Sequence, residues 1–297
     1  MKRFITLLAV AALAPAAFAA TRSVPSQYSS VQAAVNAAAS GDTISIANGT
    51  YTEAVTIPST KTGLKLVGAS QSGVILRVTT ASQIALTVNG ADTTISYMTI
   101  SNTAGETAGQ ALACRVNSKR VEFYRCYLLG WQDTIGIWDG AVVYMKLSEI
   151  RGSVDFIYSG GTAFFESCNI RQIRTSGGPC TAPSTPQTVT YGLVFSACTF
   201  NRSSNVGNNT TTFMRPWREY GETVIINCSI DSHFTAAGWS AWDGREATCR
   251  AYEYGTKTLA GATVNLSTRA SWVKRLTSVE AATYTRSNVL GGWTPPL

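Results

Sequence analysis

The chain has 297 residues and a formal net charge of +7, from 24 Lys and Arg against 17 Asp and Glu. This length allows one large domain with a sizeable core. The basic residues are scattered, which argues against a nucleic-acid partner, and no segment after the N-terminus has the length and hydropathy of a membrane span. A modest positive charge instead suits a polyanionic partner.

The first element is an N-terminal leader. Lys2 and Arg3 precede an apolar run over residues 4–14, and small residues follow at positions 17–20. A basic start, a short apolar run and a small-residue cleavage position are typical of a secretory signal peptide. We therefore expect residues 1–19 to be removed and residues 20–297 to form one secreted domain of charge +5 (7 − 2).

A short helix is predicted at the start of this domain, over residues 28–40. The stretch is rich in Ala, offers Ser29 or Ser30 as an N-cap and stops at Gly41. A helix in this place would cover one end of whatever follows it.

A repeat runs through the rest of the chain. Several segments share β-branched or aromatic residues, then a small or sulfur-bearing residue, then a polar turn. They include residues 95–102, 121–129, 142–150, 163–171, 193–201 and 223–231. Each has the length and composition of a strand. A strand-bearing repeat of this period indicates a solenoid, and the best fit is an all-β, right-handed parallel β-helix capped by the N-terminal helix.

One position of the repeat predicts a ladder inside the β-helix. Cys126, Leu147, Cys168, Cys198 and Cys228 occupy equivalent places, with spacings of 21, 21, 30 and 30 residues. Equivalent residues of successive coils stack roughly 4.8 Å apart. We interpret these cysteines mainly as small buried hydrophobic residues.

A zinc site is not predicted. The chain contains seven cysteines, which leaves at least one unpaired in a monomer, but CxxC spacing does not occur. Its single histidine, His233, is a poor basis for a zinc site.

Polar residues recur at the distance of one coil in the middle of the repeat. Gln110 and Gln132 are 22 residues apart, and so are Asp133 and Asp155. A β-helix would place the two carboxylates on neighbouring rungs, with the two amides beside them. Adjacent carboxylates cannot both ionise cheaply, so one becomes an acid and the other a base or nucleophile. The amides could donate hydrogen bonds to a developing oxyanion.

Aromatic and basic residues flank this pair. Trp131, Phe156 and Tyr158 would lower the local dielectric constant and offer faces to a sugar, although strand alternation points Phe156 and Tyr158 away from Asp155. Arg215 could hold an ionised aspartate by a charge-assisted pair. The alternative is that these polar groups only form structural ladders and turn hydrogen bonds.

At these residues the sequence resembles the pectin methylesterases, carbohydrate esterases built on a right-handed parallel β-helix. The resemblance covers residues 25–292, and GWQDTIG followed one coil later by GSVDFIYSG is its most specific part. The matching segments are residues 49–53, 104–116, 130–136, 152–160, 215–217, 233–239 and 251–257.

The resemblance implies a role for each polar residue. Asp155 would attack the C6 methyl ester of a galacturonate, and Asp133 would protonate the departing methanol and then activate water. Gln110 and Gln132 would form the oxyanion hole, and Arg215 would keep Asp155 ionised.

The resemblance also implies the partner. Trp217 would stack on a sugar of methyl-esterified homogalacturonan, and neither a metal nor an organic cofactor would be needed. We expect a monomer without nucleic-acid or membrane partners. One departure is visible, since the family usually has Leu-Gly where this chain has Phe213 and Met214. A side chain is therefore expected beside the site in place of a glycine.

Two other functions remain open at this point. A polygalacturonase would use additional clustered aspartates, and a pectate lyase would use a calcium site rich in Asp and Glu. The sequence shows one tight pair. A β-helical protein that binds cell walls without catalysis would need neither arrangement.

Overall fold

The structure, a computed structural model, describes residues 19–297. The predicted signal peptide therefore lies outside the described residues, apart from its last position. Within residues 19–297, three parallel sheets of eleven, nine and seven strands wind into a right-handed parallel β-helix. Each coil passes through the eleven-stranded, the nine-stranded and the seven-stranded sheet in turn. The predicted fold class is confirmed.

The strands are short, and each pairs with the equivalent strand of the next coil. The eleven-stranded sheet contains Thr21–Val24, Thr43–Ile46, Lys65–Gly68, Thr94–Ser96, Lys119–Tyr124, Val142–Lys146, Thr162–Glu166, Leu193–Ser196, Glu222–Ile226, Arg250–Tyr254 and Lys274–Arg275. The nine-stranded sheet contains Gly49–Thr52, Val74–Val78, Thr99–Asn102, Tyr127–Leu129, Glu149–Gly152, Asn169–Gln172, Thr199–Arg202, Ser229–Ile230 and Lys257–Thr258. The seven-stranded sheet contains Val55–Ile57, Leu86–Val88, Cys114–Val116, Ile135–Ile137, Ile157–Ser159, Gly178–Pro183 and Thr211–Met214.

Ladders of apolar side chains fill the interior of the β-helix. In the nine-stranded sheet, Leu128, Ile150, Ile170 and Phe200 stand in register on successive coils and are buried. In the eleven-stranded sheet the rings of Phe165 and Phe195 stack with centroids 4.4 Å apart. The inward side chains of all three sheets meet in one apolar core.

The sulfur ladder is confirmed for the cysteines but wrong for Leu147. Cys126, Cys168, Cys198 and Cys228 are buried free thiols. Between the first two, the ladder position belongs to Ser148, whose hydroxyl accepts a hydrogen bond from the Cys126 amide at 3.0 Å. The prediction was displaced by one residue because the residue before each ladder position forms the turn.

That turn joins the eleven-stranded to the nine-stranded sheet through a single residue in the left-handed conformation. Six coils place a non-glycine residue there, with φ between 49° and 55°. These residues are Tyr97, Arg125, Leu147, Ser167, Ala197 and Asn227. Leu147 has φ 50° and is 38 % exposed, so its side chain points outward.

Helices cover parts of the solenoid. The N-terminal helix spans Val31–Ala37, shorter than predicted, and Ser30 is its N-cap. Glu53 from the next coil accepts hydrogen bonds from the amides of Val31 and Gln32, which satisfies two free donors of the first turn.

The C-terminal region carries two helices that the sequence did not predict. They span Ser278–Ala281 and Arg286–Val289, and they pack on the outer face of the eleven-stranded sheet. That face is apolar at Tyr144, Phe164 and Val194, so both faces of this sheet are buried. The remaining helices are single 3₁₀ turns at Glu106–Ala108, Arg245–Ala247 and Leu266–Thr268. Among the described residues, no helix has the length and hydropathy to cross a membrane.

The left-handed backbone of Leu147 predicts that a substitution there can increase the stability of the protein. A leucine pays a steric penalty at this φ, whereas asparagine tolerates it. Because the side chain points outward and belongs to neither apolar cluster, its replacement takes no packing from the core. Leu147→Asn should raise the free energy of unfolding by about 0.5–1 kcal/mol, measured by urea denaturation. The β-branched control Leu147→Val should lower it, and a loss of stability in Leu147→Asn would contradict the account.

Candidate active site

Two successive coils carry the two aspartates at the same place, just before a strand of the seven-stranded sheet. The following residues Ile135 and Ile157 are paired in register. Asp133 and Asp155 both have left-handed backbones, with φ 58° and 51°. Neighbouring strands lie about 4.8 Å apart, so the two carboxylates start from adjacent rungs. The 22-residue spacing therefore places Asp133 and Asp155 on neighbouring coils, as predicted.

The two glutamines are also brought together. Gln110 and Gln132 form an isolated parallel bridge, in which the Ala111 amide donates to the Gln132 carbonyl at 3.2 Å. Both residues line the same cavity as the aspartates. Within the described part of the chain, the Gln132 side-chain amide has no hydrogen-bond partner in the protein, which leaves its N–H groups available to a ligand.

Arg215 distinguishes the two carboxylates. Its Nε donates to both oxygens of Asp155, at 2.9 and 3.1 Å, and its Nη2 also donates to Oδ2. The opposite side of the guanidinium is covered by the ring of Trp242, whose centroid is 4.2 Å away. Arg215 is thereby fixed as a fork on Asp155, and charge-assisted pairs of this kind favour the ionised carboxylate.

Burial and charge shift the pKa values of the pair. Asp133 and Asp155 are 6 % and 5 % exposed. Desolvation, followed by the charge of Asp155, raises the pKa of Asp133 to about 7, against smaller opposing effects of Gln110 and Arg215. Desolvation also raises the pKa of Asp155, but the Arg215 hydrogen bonds and charge oppose that rise. Asp133 is therefore the better proton donor and Asp155 the better anion.

Aromatic side chains form the walls of the cavity, whose volume is about 370 Å³. The ring of Tyr158 makes edge contacts with Trp217 at 5.0 Å and with Trp138 at 5.3 Å. The Arg115 guanidinium lies 4.5 Å from the Trp138 centroid. Of these four residues, Tyr158 and Trp217 were predicted from the sequence as substrate contacts, and Trp138 and Arg115 were not.

Of the two missed residues, Arg115 belongs to an outward row of the seven-stranded sheet. Arg115, Gly136, Tyr158 and Ala182 are paired in register on successive coils. A 22-residue step back from Tyr158 leads to Gly136, but the step from Gly136 to Arg115 is 21 residues, so a strict 22-residue spacing misses Arg115 by one position. Trp138 is harder to predict, because its ring folds back over Gly136, where a Cβ would lie 2.3 Å from it.

Two predicted substrate contacts are placed elsewhere by the structure. Phe156 is fully buried in the hydrophobic core, so the expectation that it faces a sugar is wrong. Trp131 lines a separate groove on the nine-stranded sheet and not the cavity of the aspartates. Both residues lie between strands, where strand alternation does not apply, and Phe156 and the adjacent Ile157 are both in the core. The expectation that alternation turns Tyr158 away from Asp155 is also wrong, since both line the same cavity.

The departure before Arg215 does not add a side chain to the site. Phe213 and Met214 are both fully buried, and Phe213 packs against Phe234 and Trp239. The strand Thr211–Met214 thus ends in core residues, and the chain turns outward at Arg215. The expectation of a side chain beside the site is wrong.

His233 is not part of this site. It is fully buried against Phe234, and desolvation lowers its pKa to about 4. A larger depression of about 600 Å³ lies near the C-terminal coils, but its lining includes one carboxylate, Asp231, which pairs with Arg202. In residues 19–297, no group of three or more His, Cys, Asp and Glu residues has the arrangement of a metal site.

The fold and the site together describe a β-helix whose cavity holds a pair of buried carboxylates, and comparisons with known proteins identify its family. The pectinesterase family model matches residues 19–293. The chain is 31 % identical over 280 residues to pectinesterase 31 of Arabidopsis thaliana, covering 86 % of each protein. It is 32 % identical over 268 residues to pectinesterase/pectinesterase inhibitor U1 of Solanum lycopersicum, covering 84 % of this chain and 46 % of that longer protein. The chain therefore belongs to the pectinesterase family.

Solved structures agree with this membership. The pectin methylesterase from carrot has a TM-score of 0.84 and 26 % identity, with 95 % of both chains covered. A pectin methylesterase in complex with a hexasaccharide has a TM-score of 0.80 and 27 % identity, covering 96 % of this chain and all of that one. The protein is accordingly an enzyme of the pectin methylesterase class.

The raised pKa of Asp133 predicts a stability cost at neutral pH. The folded state holds this proton up to about pH 7, whereas the unfolded state loses it near 3.8. Stability from protonated Asp133 is thus complete below pH 3.8 and is lost as pH rises through 7. Asp133→Asn should be more stable than the wild type at pH 8 by on the order of 2–4 kcal/mol.

Chemical denaturation at pH 4 and pH 8 measures this difference, which should nearly vanish at pH 4. Asp139→Asn is the matched control, because Asp139 is an exposed carboxylate at the rim of the same region. It should show no pH-dependent difference. Equal behaviour of the two variants would contradict the burial argument.

Proposed function

We propose that the enzyme hydrolyses C6 methyl esters of polygalacturonate, with Asp155 as nucleophile and Asp133 as general acid and base. The observation that carries this proposal is the asymmetry of the two buried carboxylates. The Arg215 fork contacts Asp155, while desolvation raises the pKa of Asp133 to about 7. One group is therefore prepared to attack and the other to donate a proton.

The first step forms a bond between an oxygen of Asp155 and the ester carbonyl carbon. The carbonyl electron pair moves onto its oxygen, and the side-chain amides of Gln110 and Gln132 donate hydrogen bonds to this oxyanion. When the oxyanion collapses, the bond to the methoxy group breaks. Asp133 transfers its proton to that group, and methanol leaves.

The second step removes the acyl group from Asp155. Asp133, now a carboxylate, takes a proton from a water molecule, whose oxygen attacks the acyl carbon. The bond to Asp155 then breaks, which releases the galacturonate carboxyl group. Asp155 is again an anion beside Arg215, and Asp133 again carries a proton.

The cavity walls support an acidic sugar polymer as the substrate. Trp217, Tyr158 and Trp138 offer aromatic surface to sugar rings. Arg115 and Arg218 border the same cleft, and within the described residues neither takes part in an ion pair. A partly de-esterified polymer supplies the carboxylates for them. A related pectin methylesterase has been solved in complex with a hexasaccharide, which supports a sugar chain as the ligand.

We further propose that the protein is a secreted monomer that modifies or degrades pectin in plant cell walls. Secretion is supported by the leader sequence of residues 1–19, and a single catalytic domain over residues 20–297 by the continuous stack of coils.

Product analysis tests the function. Incubation with highly methylated pectin should release methanol without new chain ends. Asp155→Asn should lower the rate of methanol release by about 10⁴-fold or more, as expected when a nucleophile is removed, while pectin binding is kept. Asp139→Asn, which removes a nearby exposed carboxylate, should retain activity within about threefold, as is usual for a group outside the reacting set.

Other outcomes would point to the alternatives. New reducing ends would indicate a polygalacturonase and unsaturated products a lyase. Near-normal methanol release by Asp155→Asn would overturn the assignment of the nucleophile. Pectin binding without any turnover in the wild type would indicate a binding protein.

The pH dependence of kcat/KM should report the proton on Asp133. Activity should fall as pH rises through about 7, because the general acid is then ionised. Burial also raises the pKa values of Glu122 and Glu222 to about 7, but these residues do not line the cavity. Glu122→Gln and Glu222→Gln should therefore leave the alkaline limb in place. An activity that keeps rising to high pH would contradict the role of Asp133.

A further inference from the structure

A second groove lies on the outer face of the nine-stranded sheet, beside the turn that carries the catalytic residues. Its volume is about 440 Å³, and its lining includes Arg77, Ser101, Leu129, Trp131 and Arg151. Trp131 immediately precedes Gln132, which lines the cavity of the aspartates. The groove and the cavity are therefore separated by a single turn of the chain.

Two guanidinium groups in this groove lack a carboxylate. Within residues 19–297 neither Arg77 nor Arg151 forms an ion pair, and the Nε of each is buried without an acceptor. Within the described residues, the two arginine side chains make one hydrogen bond, which Arg77 Nη2 donates to Thr52 Oγ1 over a long distance of 3.4 Å. By contrast Arg171, on the rung after Arg151, pairs with Glu149 at 3.2 Å. Buried cationic donors without acceptors indicate that an anion is missing.

The two arginines stand at the ends of a trough. Arg77, Ser101, Leu129 and Arg151 occupy consecutive rungs of one outward row. Strand spacing places the first and last rung about 14 Å apart, with shorter side chains between them. The described lining contains no Asp or Glu. A small anion cannot reach both ends, whereas an extended chain of linked acidic units can.

Two loops border the groove beside Trp131. Gly105 belongs to one and Ile173 to the other, and both line the groove. An ion pair between Glu106 and Arg174, 3.2 Å long, joins these loops across two coils. The groove thus has a fixed border on the side of the catalytic turn.

We propose that this groove binds a de-esterified galacturonan stretch, with Arg77 and Arg151 pairing to uronate carboxylates and Trp131 stacking on a sugar ring. The inference rests on the proposed function, because such a stretch is what the active cavity would leave behind. A methyl ester carries no charge for the arginines, so the groove selects product over substrate. A chain held there keeps its remaining esters near the cavity at a high effective concentration.

Binding of a fully de-esterified galacturonan oligomer longer than the trough tests the proposal by isothermal titration calorimetry. Arg77→Gln combined with Arg151→Gln should weaken binding about tenfold, as two partly exposed charge contacts would. The KM for long, partly de-esterified pectin should rise by a similar factor. Rates on a short, fully methylated oligosaccharide should stay unchanged. Arg77→Lys with Arg151→Lys should recover part of the binding, since charge returns without the planar fork.

Arg125→Gln combined with Arg275→Gln is the matched control for net charge. Both arginines are exposed, and neither lines the groove. This variant should bind the oligomer as the wild type does. Equal weakening in both double variants, or unchanged binding in the groove variant, would overturn the proposal.

The same measurements separate this inference from the proposed esterase activity. A wild type that releases no methanol but shows groove-dependent binding would remove the esterase mechanism and retain the groove. Methanol release with binding independent of Arg77 and Arg151 would retain the esterase and remove the groove.

Discussion

Parallel hydrogen bonding between successive coils is the constraint on which the rest of this structure depends. It places each strand residue next to one that is 20 to 33 positions away in the chain, as in the pairs Ile135 with Ile157 and Phe165 with Phe195. Asp133 and Asp155 lie next to each other because the strands before and after them are paired in register. The left-handed backbones of Asp133 and Asp155 cost energy, and the stacked coils above and below offset that cost.

The stacking also holds two carboxyl groups in an electrostatically unfavourable arrangement. Two carboxylates are held close together with little solvent, an arrangement that lowers the stability of the fold at neutral pH. The cation Arg215 stabilises the ionised form of Asp155, to which it donates hydrogen bonds, more than that of Asp133. The two carboxyl groups therefore differ because the guanidinium contacts only Asp155, and the site is less stable than an apolar core would be.

Regular spacing decided how much of this could be predicted. The 22-residue spacing placed the aspartates on neighbouring coils, whereas the ladder was aligned with a 21-residue step from Cys126 that placed Leu147 one residue out of register. Composition alone does not show which residue forms the left-handed turn. Arg215 follows Asp155 by 60 residues through coils of unequal length, so the period could not place it. The sequence offered it only as a candidate cation for an ionised aspartate, and the family resemblance specified Asp155 as the partner. The direction of Phe156 and the short C-terminal helices depend on packing that no local pattern records.

Unequal coil length has a consequence of its own. Met145 pairs with Phe165 across 20 residues and Phe165 pairs with Phe195 across 30, yet the register is the same. The ten additional residues lie outside the ladders, and lengthening a surface loop costs only a slowly growing closure entropy. Insertions can therefore remodel the rim above the cleft while the reacting groups keep their places. The scaffold separates the chemistry from the selectivity, so that each can diverge in evolution without disturbing the other.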